Sequence, residues 1–182
     1  MRRAAFPILL LSVAALAVAA PAHAVPKDRP WATVNACDTD GKRNTIGIRA
    51  GIPGNGTRQR MYIRFEVQWY RPSLGRYVSV GPPSTWVEAG SARFRSAQRG
   101  FDFSQIEDPP AGKRYKLRGL VRFQWRELRA VEGSKREREA VVRRARRITR
   151  GGLEGVKGGR PPGRSDAVCV VEAAEPPDSP AQ

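Results

Sequence analysis

Five carboxylates could do acid–base work in this sequence: Glu66, Glu88, Asp102, Glu107 and Asp108. The single histidine, His23, lies at the end of an N-terminal segment that reads as cleavable, so the commonest general base and zinc ligand would leave with it. Two carboxylates about 5–10 Å apart suffice to hydrolyse a glycosidic bond. None of the five falls in a spacing motif, so the chain reads as a non-enzyme, with a carboxylate-dependent secreted hydrolase as the alternative. Asp38, Asp40 and Asn44 present oxygen donors in the manner of a calcium loop. Lys42 and Arg43 intrude and no acidic residue closes it, so a plain turn is expected. The pattern calls for no cofactor and no metal. Cys37 and Cys169 are the only cysteines. An even pair in an exported chain reads as a disulfide, and a nucleophilic thiol here would lack a histidine partner.

The other chemistry is cationic. The 182 residues carry a formal charge of +16, and 27 of the 33 basic residues are arginine. Lys116, Arg118, Arg122 and Arg126 recur at even positions of the stretch YKLRGLVRFQW, while Tyr115, Leu117, Gly119, Val121, Phe123 and Trp125 hold the odd ones. A strand sends alternate side chains to opposite faces, so this stretch predicts one apolar and one basic face. Arg143, Arg144, Arg146 and Arg147 would extend the basic surface if their segment pairs alongside. Phosphate or carboxylate polymers would satisfy such a ladder by bidentate contacts. Two other readings stay open. The arginines are a solvated face, paired with Glu66, Glu127, Glu137 and Glu139, or they reflect the composition of a high-G+C genome.

The N-terminus bounds the compartment. Arg2 and Arg3 precede an apolar run ending at the small-residue site Ala22-His23-Ala24, the pattern of a signal peptide over residues 1–24. Its removal takes two positive charges, from +16 to +14. The protein is therefore expected to be secreted or held in the cell envelope. No later run approaches transmembrane length. An exported chain that lacks recognition motifs and stacking platforms is unlike a nucleic-acid binder. Residues 25–36 read as a leader, 37–172 as one domain, and 173–182 as a disordered Pro-rich tail.

Within the domain the period is two. Met61–Tyr70 alternates as strongly as the Tyr115 stretch, placing Met61, Ile63, Phe65, Val67 and Trp69 on one side. Shorter strands are expected at Thr45–Ala50, Arg76–Val80, Thr85–Glu88, Ala92–Arg95, Gly100–Phe103 and Asp166–Glu172. Residues 135–150 are ambiguous: capping-box spacing at Ser134 and Glu137 favours a helix, whereas the unpaired edge of the Tyr115 strand favours a strand at Ala140–Thr149. Short strands with turns every 8–12 residues describe an all-β antiparallel β-sandwich of about seven to nine strands with one disulfide.

Two stretches carry a resemblance. Val67-Gln68-Trp69-Tyr70-Arg71-Pro72 resembles the third strand of immunoglobulin-like domains, and Gly112-Lys113-Arg114-Tyr115-Lys116-Leu117 resembles the approach to their sixth. The chain is similar to small exported immunoglobulin-like proteins of bacteria. The resemblance implies an Ig-like sandwich, with Trp69 as core aromatic and Tyr115 as corner residue. Ile48 and Leu117 stand where the family places its cysteines, so the disulfide would instead join the two ends of the domain. Such folds host many functions. The expected function is a non-catalytic binding or envelope module that contacts an anionic cell-surface polymer or an envelope protein. Pairing with a protein through strand edges is a further alternative.

Overall fold

The computed structural model describes residues 23–104 and 106–173. Most of the segment read as a signal peptide, residues 1–22 of 1–24, and the tail from residue 174 lie outside the described residues. Nine strands form two antiparallel sheets. The smaller consists of β2 (Trp31–Thr39), β3 (Lys42–Pro53) and β7 (Ser96–Phe103), in the order β2-β3-β7. The larger is built on β4 (Arg60–Arg71) and β8 (Arg114–Ala130), paired from Arg60–Arg126 to Trp69–Leu117. β5 (Arg76–Val80) and β6 (Val87–Ser91) share the far edge of β4. β9 (Glu137–Ile148) and β11 (Cys169–Glu172) share the far edge of β8. Separately, two-residue strands β1 (His23–Ala24) and β10 (Leu153–Glu154) pair in parallel. Among the described residues there is no α-helix, only a 3₁₀ turn at Pro72–Leu74.

The core follows from the alternation. Ile46, Ile48 and Ile52 of β3 are fully buried against Phe65 of β4 and Val121, Phe123 and Trp125 of β8. Trp125 is 0% exposed, and its Nε1 donates to Pro53 O at 3.1 Å, which satisfies the indole while its rings fill the centre. The sheets approach closely at Gly119. A Cβ there would lie 2.8 Å from Ile48 Cδ1 and from Thr149 Cγ2, so a larger residue would push the layers apart. The resemblance put the core tryptophan at Trp69. In the structure the fully buried tryptophan is Trp125, and Trp69 stacks on Tyr115 at 4.8 Å at the open end of the sandwich.

Two segments differ from the sequence reading and a third, left open between helix and strand, is decided, each for a physical reason. The leader ends earlier than residue 36, because Trp31–Ala36 belongs to β2 and is buried throughout. Both faces of β2 are covered, and Asn35 sits in a bulge between Val34 and Ala36, so its sequence shows no alternation. Ala92–Arg95 is a turn, with strand on either side. Residues 137–148 are strand: β9 pairs with β8 from Leu120–Ile148 to Ala130–Glu137, satisfying an edge that a helix would have left bare. The Asp38–Asn44 segment is the tight turn joining β2 and β3, and Asp38 Oδ1 accepts from Asn44 N at 2.7 Å. No group of three or more His, Cys, Asp or Glu among the described residues is placed to hold a metal.

Cys37 and Cys169 are bonded, with Cα atoms 5.3 Å apart and 132 residues of chain between them. The bond joins β2 of one sheet to β11 of the other. Closing so long a loop removes unfolded-state entropy worth about 5 kcal/mol in the chain-entropy treatment. The double variant Cys37→Ala/Cys169→Ala should lower unfolding free energy by about 3–5 kcal/mol in urea denaturation. A loss below about 1 kcal/mol would mean that the sheets hold β11 without the bond.

Candidate functional site

The outward face of the larger sheet is where the basic residues gather. The odd positions of β8 are spent on the core, so Lys116, Arg118, Arg122 and Arg126 point outward with Tyr62, Arg64, Glu66 and Gln68 of β4. The register of β9 divides its arginines. Arg146 pairs with Arg122 and Arg144 with Gln124, so both share the outward face. Arg143 and Arg147 pair with Trp125 and Val121, and therefore start on the inner face. The continuous ladder of eight cations expected from sequence is thus two sets on opposite sides of an edge strand. Arg143 lies over the Trp125 ring at 4.5 Å, and Arg147 Nε donates to Pro30 O at 3.0 Å.

Several outward arginines are tied down. Arg122 makes a charged hydrogen bond to Glu66, which is 6% exposed and also accepts from Ser79 Oγ. Arg126 stacks 4.0 Å from the Tyr62 ring centroid, donates from Nε to Gln124 Oε1 at 2.9 Å and reaches Glu139 Oε2 at 3.2 Å. Arg118 stacks 3.9 Å from the Tyr77 centroid and donates to Gln68 Oε1 at 3.0 Å. Burial raises the Tyr77 phenol pKa, and the Arg118 charge opposes that rise. These planar stacks need arginine; lysine has no flat cation to lay on a ring.

Beside this lattice lies a depression of about 390 Å³, lined by Gln68, Arg118, Leu120, Arg146, Arg147, Ile148 and Arg150. It has four guanidinium groups and no carboxylate on its walls. Arg118, Arg146 and Arg147 were legible in sequence; Arg150 was not. It follows Thr149, past the end of β9, where strand alternation no longer assigns faces, and its backbone N–H binds Ala32 O at 2.9 Å. Lys116 and Arg144 are exposed on the same outward face but do not border the depression, while Arg122 and Arg126 are held in ion pairs.

The five carboxylates named from sequence are distributed. Glu66 is locked to Arg122, Asp102 is paired with Lys42 at 2.6 Å, and Asp108 accepts from Asn44 at 2.8 Å. Glu88 is exposed opposite Tyr62. Glu107 borders an apolar cavity of about 700 Å³ at the open end, walled by Val67, Trp69, Phe101, Phe103 and Tyr115. A different pair, Glu127 and Glu139, shares a pocket of about 370 Å³ with Arg58, Arg60 and Arg126. A glycosidase needs one such acid kept protonated. Glu139 is driven the other way: the Tyr62 hydroxyl, donating at 2.7 Å, holds its carboxyl below the ordinary range. Burial opposes, and Arg126 adds to the lowering. Glu127 is bound to Arg129 at 2.7 Å.

Comparison with models of protein families gives no match, and no curated protein is significantly similar to the chain. Among the described residues, no helix is long and apolar enough to cross a membrane.

The Glu139 cluster yields a pH prediction. A carboxyl whose folded pKa is depressed contributes stability above its unfolded pKa, and that contribution is lost as pH falls through the folded value. Wild-type stability should therefore drop more steeply between about pH 5 and about pH 3 than that of Glu139→Gln. Urea midpoints across that range measure it; parallel curves would show that the Tyr62 bond does not favour the ionised form.

Proposed function

We propose that this protein is an exported, non-catalytic binding module with an immunoglobulin-like sandwich, which holds an anionic polymer at the arginine-walled depression. The depression carries the reading: four guanidinium groups without a carboxylate form a place where phosphate or carboxylate groups replace missing counter-charge. The tied arginines around it supply a pre-ordered rim rather than free ligands, which reduces the side-chain entropy lost on binding. The strand order supports the immunoglobulin-like assignment, since β2-β3-β7 facing β5-β4-β8 with β9 and β11 parallels the two-sheet division of that architecture. Export is supported by the disulfide, which persists in oxidising compartments. The non-catalytic reading rests on the ion-paired state of Glu66, Glu127 and Glu139.

Binding of inorganic polyphosphate and of poly-glutamate tests this, with neutral dextran as control. Both polyanions should bind at about 50 mM salt and be released at several hundred millimolar, as counterion release requires. The variant Arg118→Gln/Arg146→Gln/Arg150→Gln should weaken binding by about tenfold or more and lower the salt slope by about two to three. Removing the same charge at Arg58, Arg93 and Arg95, all exposed elsewhere, should cost about threefold or less. Equal losses in both variants would reduce the effect to net charge and sink the localised site.

A further inference from the structure

The outer face of the smaller sheet carries a second, chemically distinct cleft of about 470 Å³, bordered by Asn35, Arg49, Phe101, Asp102, Gly158 and Arg160. Two buried polar atoms of opposite sense face it without partners: the acceptor Asn35 Oδ1 and the donor Arg49 Nε. A buried polar atom left unpaired costs about 1–3 kcal/mol, so two in one cleft call for a physical account.

Asn35 is the bulged residue of β2 and is 4% exposed. Its other groups are committed: Nδ2 donates to Gly158 O at 2.7 Å, and its carbonyl accepts from Arg160 N at 2.7 Å. Only Oδ1 remains. Asp102, on β7 opposite Gly47, accepts from Lys42 Nζ at Oδ2. Its Oδ1 and Asn35 Oδ1 both lie within 3.1 Å of where a Cβ on Gly47 would stand, so two oxygens converge at one end of the cleft. Arg49 lies two residues along β3 from Gly47 on the same face, with its Cα about 7 Å further along. It lies opposite Gly100, and a Cβ on Gly100 would be 3.0 Å from Arg49 Cζ. A Cβ on Gly158, at φ +68°, would be 2.4 Å from Arg49 Nη2. Glycine on both sides lets the guanidinium lie flat between strand and loop. Burial lowers its pKa, Asp102 opposes that change, and Arg99 reinforces it.

We propose that this cleft binds a small zwitterion of the α-amino acid type, with its ammonium between Asn35 Oδ1 and Asp102 and its carboxylate on Arg49. Charge complementarity selects the class. A simple anion would satisfy Arg49 but stand against two oxygens at the far end. A simple ammonium would satisfy those oxygens and leave Arg49 Nε bare. A zwitterion with one carbon between its charged groups meets both ends.

The test follows the side-chain ¹H–¹⁵N signals of Arg49 Nε and Asn35 Nδ2 while the protein is titrated with glycine, acetate or methylammonium. Glycine should shift both signals saturably, at concentrations at least about tenfold lower than either half-ligand needs. Asp102→Asn loses only an exposed ion pair to Lys42 and should fold. It should weaken glycine binding by about tenfold, the loss of one charged hydrogen bond, while any acetate response is kept or strengthened, because the repelling carboxylate is gone. Lys42→Gln, which keeps the carboxylate, should retain binding. The proposal is overturned if glycine produces no saturable shift, if acetate binds as well as glycine, or if Asp102→Asn binds glycine as wild type does. In the first case the two atoms are met by water alone.

Discussion

The antiparallel ladder between β4 and β8 is the constraint on which the rest of the molecule depends. Its register puts Phe65 beside Val121 and Ile63 beside Phe123, one continuous apolar surface from two strands. The same register places Glu66 next to Leu120 and one step from Arg122, and Gln68 beside Arg118, so the pairing that builds the core also composes the outward face. A slip of one residue would bury four cations and expose Trp125 together. That cost pins the ladder more firmly than its hydrogen bonds do. Shared edges follow from it: each central strand is longer than any of its flanking partners on the outside, so two short strands line each far edge.

The outward face is held by stacking as much as by charge. Arg118 on Tyr77 and Arg126 on Tyr62 give each guanidinium an aromatic floor, with side-chain amides or a carboxylate at its rim. Exposed ion pairs alone contribute little. A planar cation between a ring and an amide loses less entropy and keeps its orientation, so the net positive field is presented in fixed directions. β9 also guards a sheet edge. Arginine and glutamate along an exposed edge discourage further strands from adding.

The two sheets treat their outer faces differently. The larger leaves its face to solvent, whereas the smaller has much of its face roofed by the segment after β9. Asp166 exchanges backbone hydrogen bonds with Val34 at 2.9 Å, and Arg160 binds Asn35 O. Roofing explains why Thr33 and Asn35 are buried and why glycines cluster there. The disulfide draws the same C-terminal portion in, joining β11 to β2. The polar cleft exists because a bulge, a glycine-rich loop and an arginine meet under that roof.

The alternation of Met61–Tyr70 and Tyr115–Trp125 was sufficient to establish two strands and their inward residues, the run of short strands and turns pointed to an all-β fold, and the even cysteine count to the Cys37–Cys169 pairing. Period-two patterning is a local property, and two cysteines admit one intramolecular bond. Three things were decided only in three dimensions. Residues 137–148 became strand because β8 offered an edge, against a local pattern that also suited a helix. The arginines of that strand split between faces because register, unlike composition, assigns a side. Arg150 joined Arg118 and Arg146, and Asn35 met Arg49 and Asp102, because sheet pairing and loop packing bring together residues up to 67 positions apart, a separation over which sequence spacing carries no geometric information.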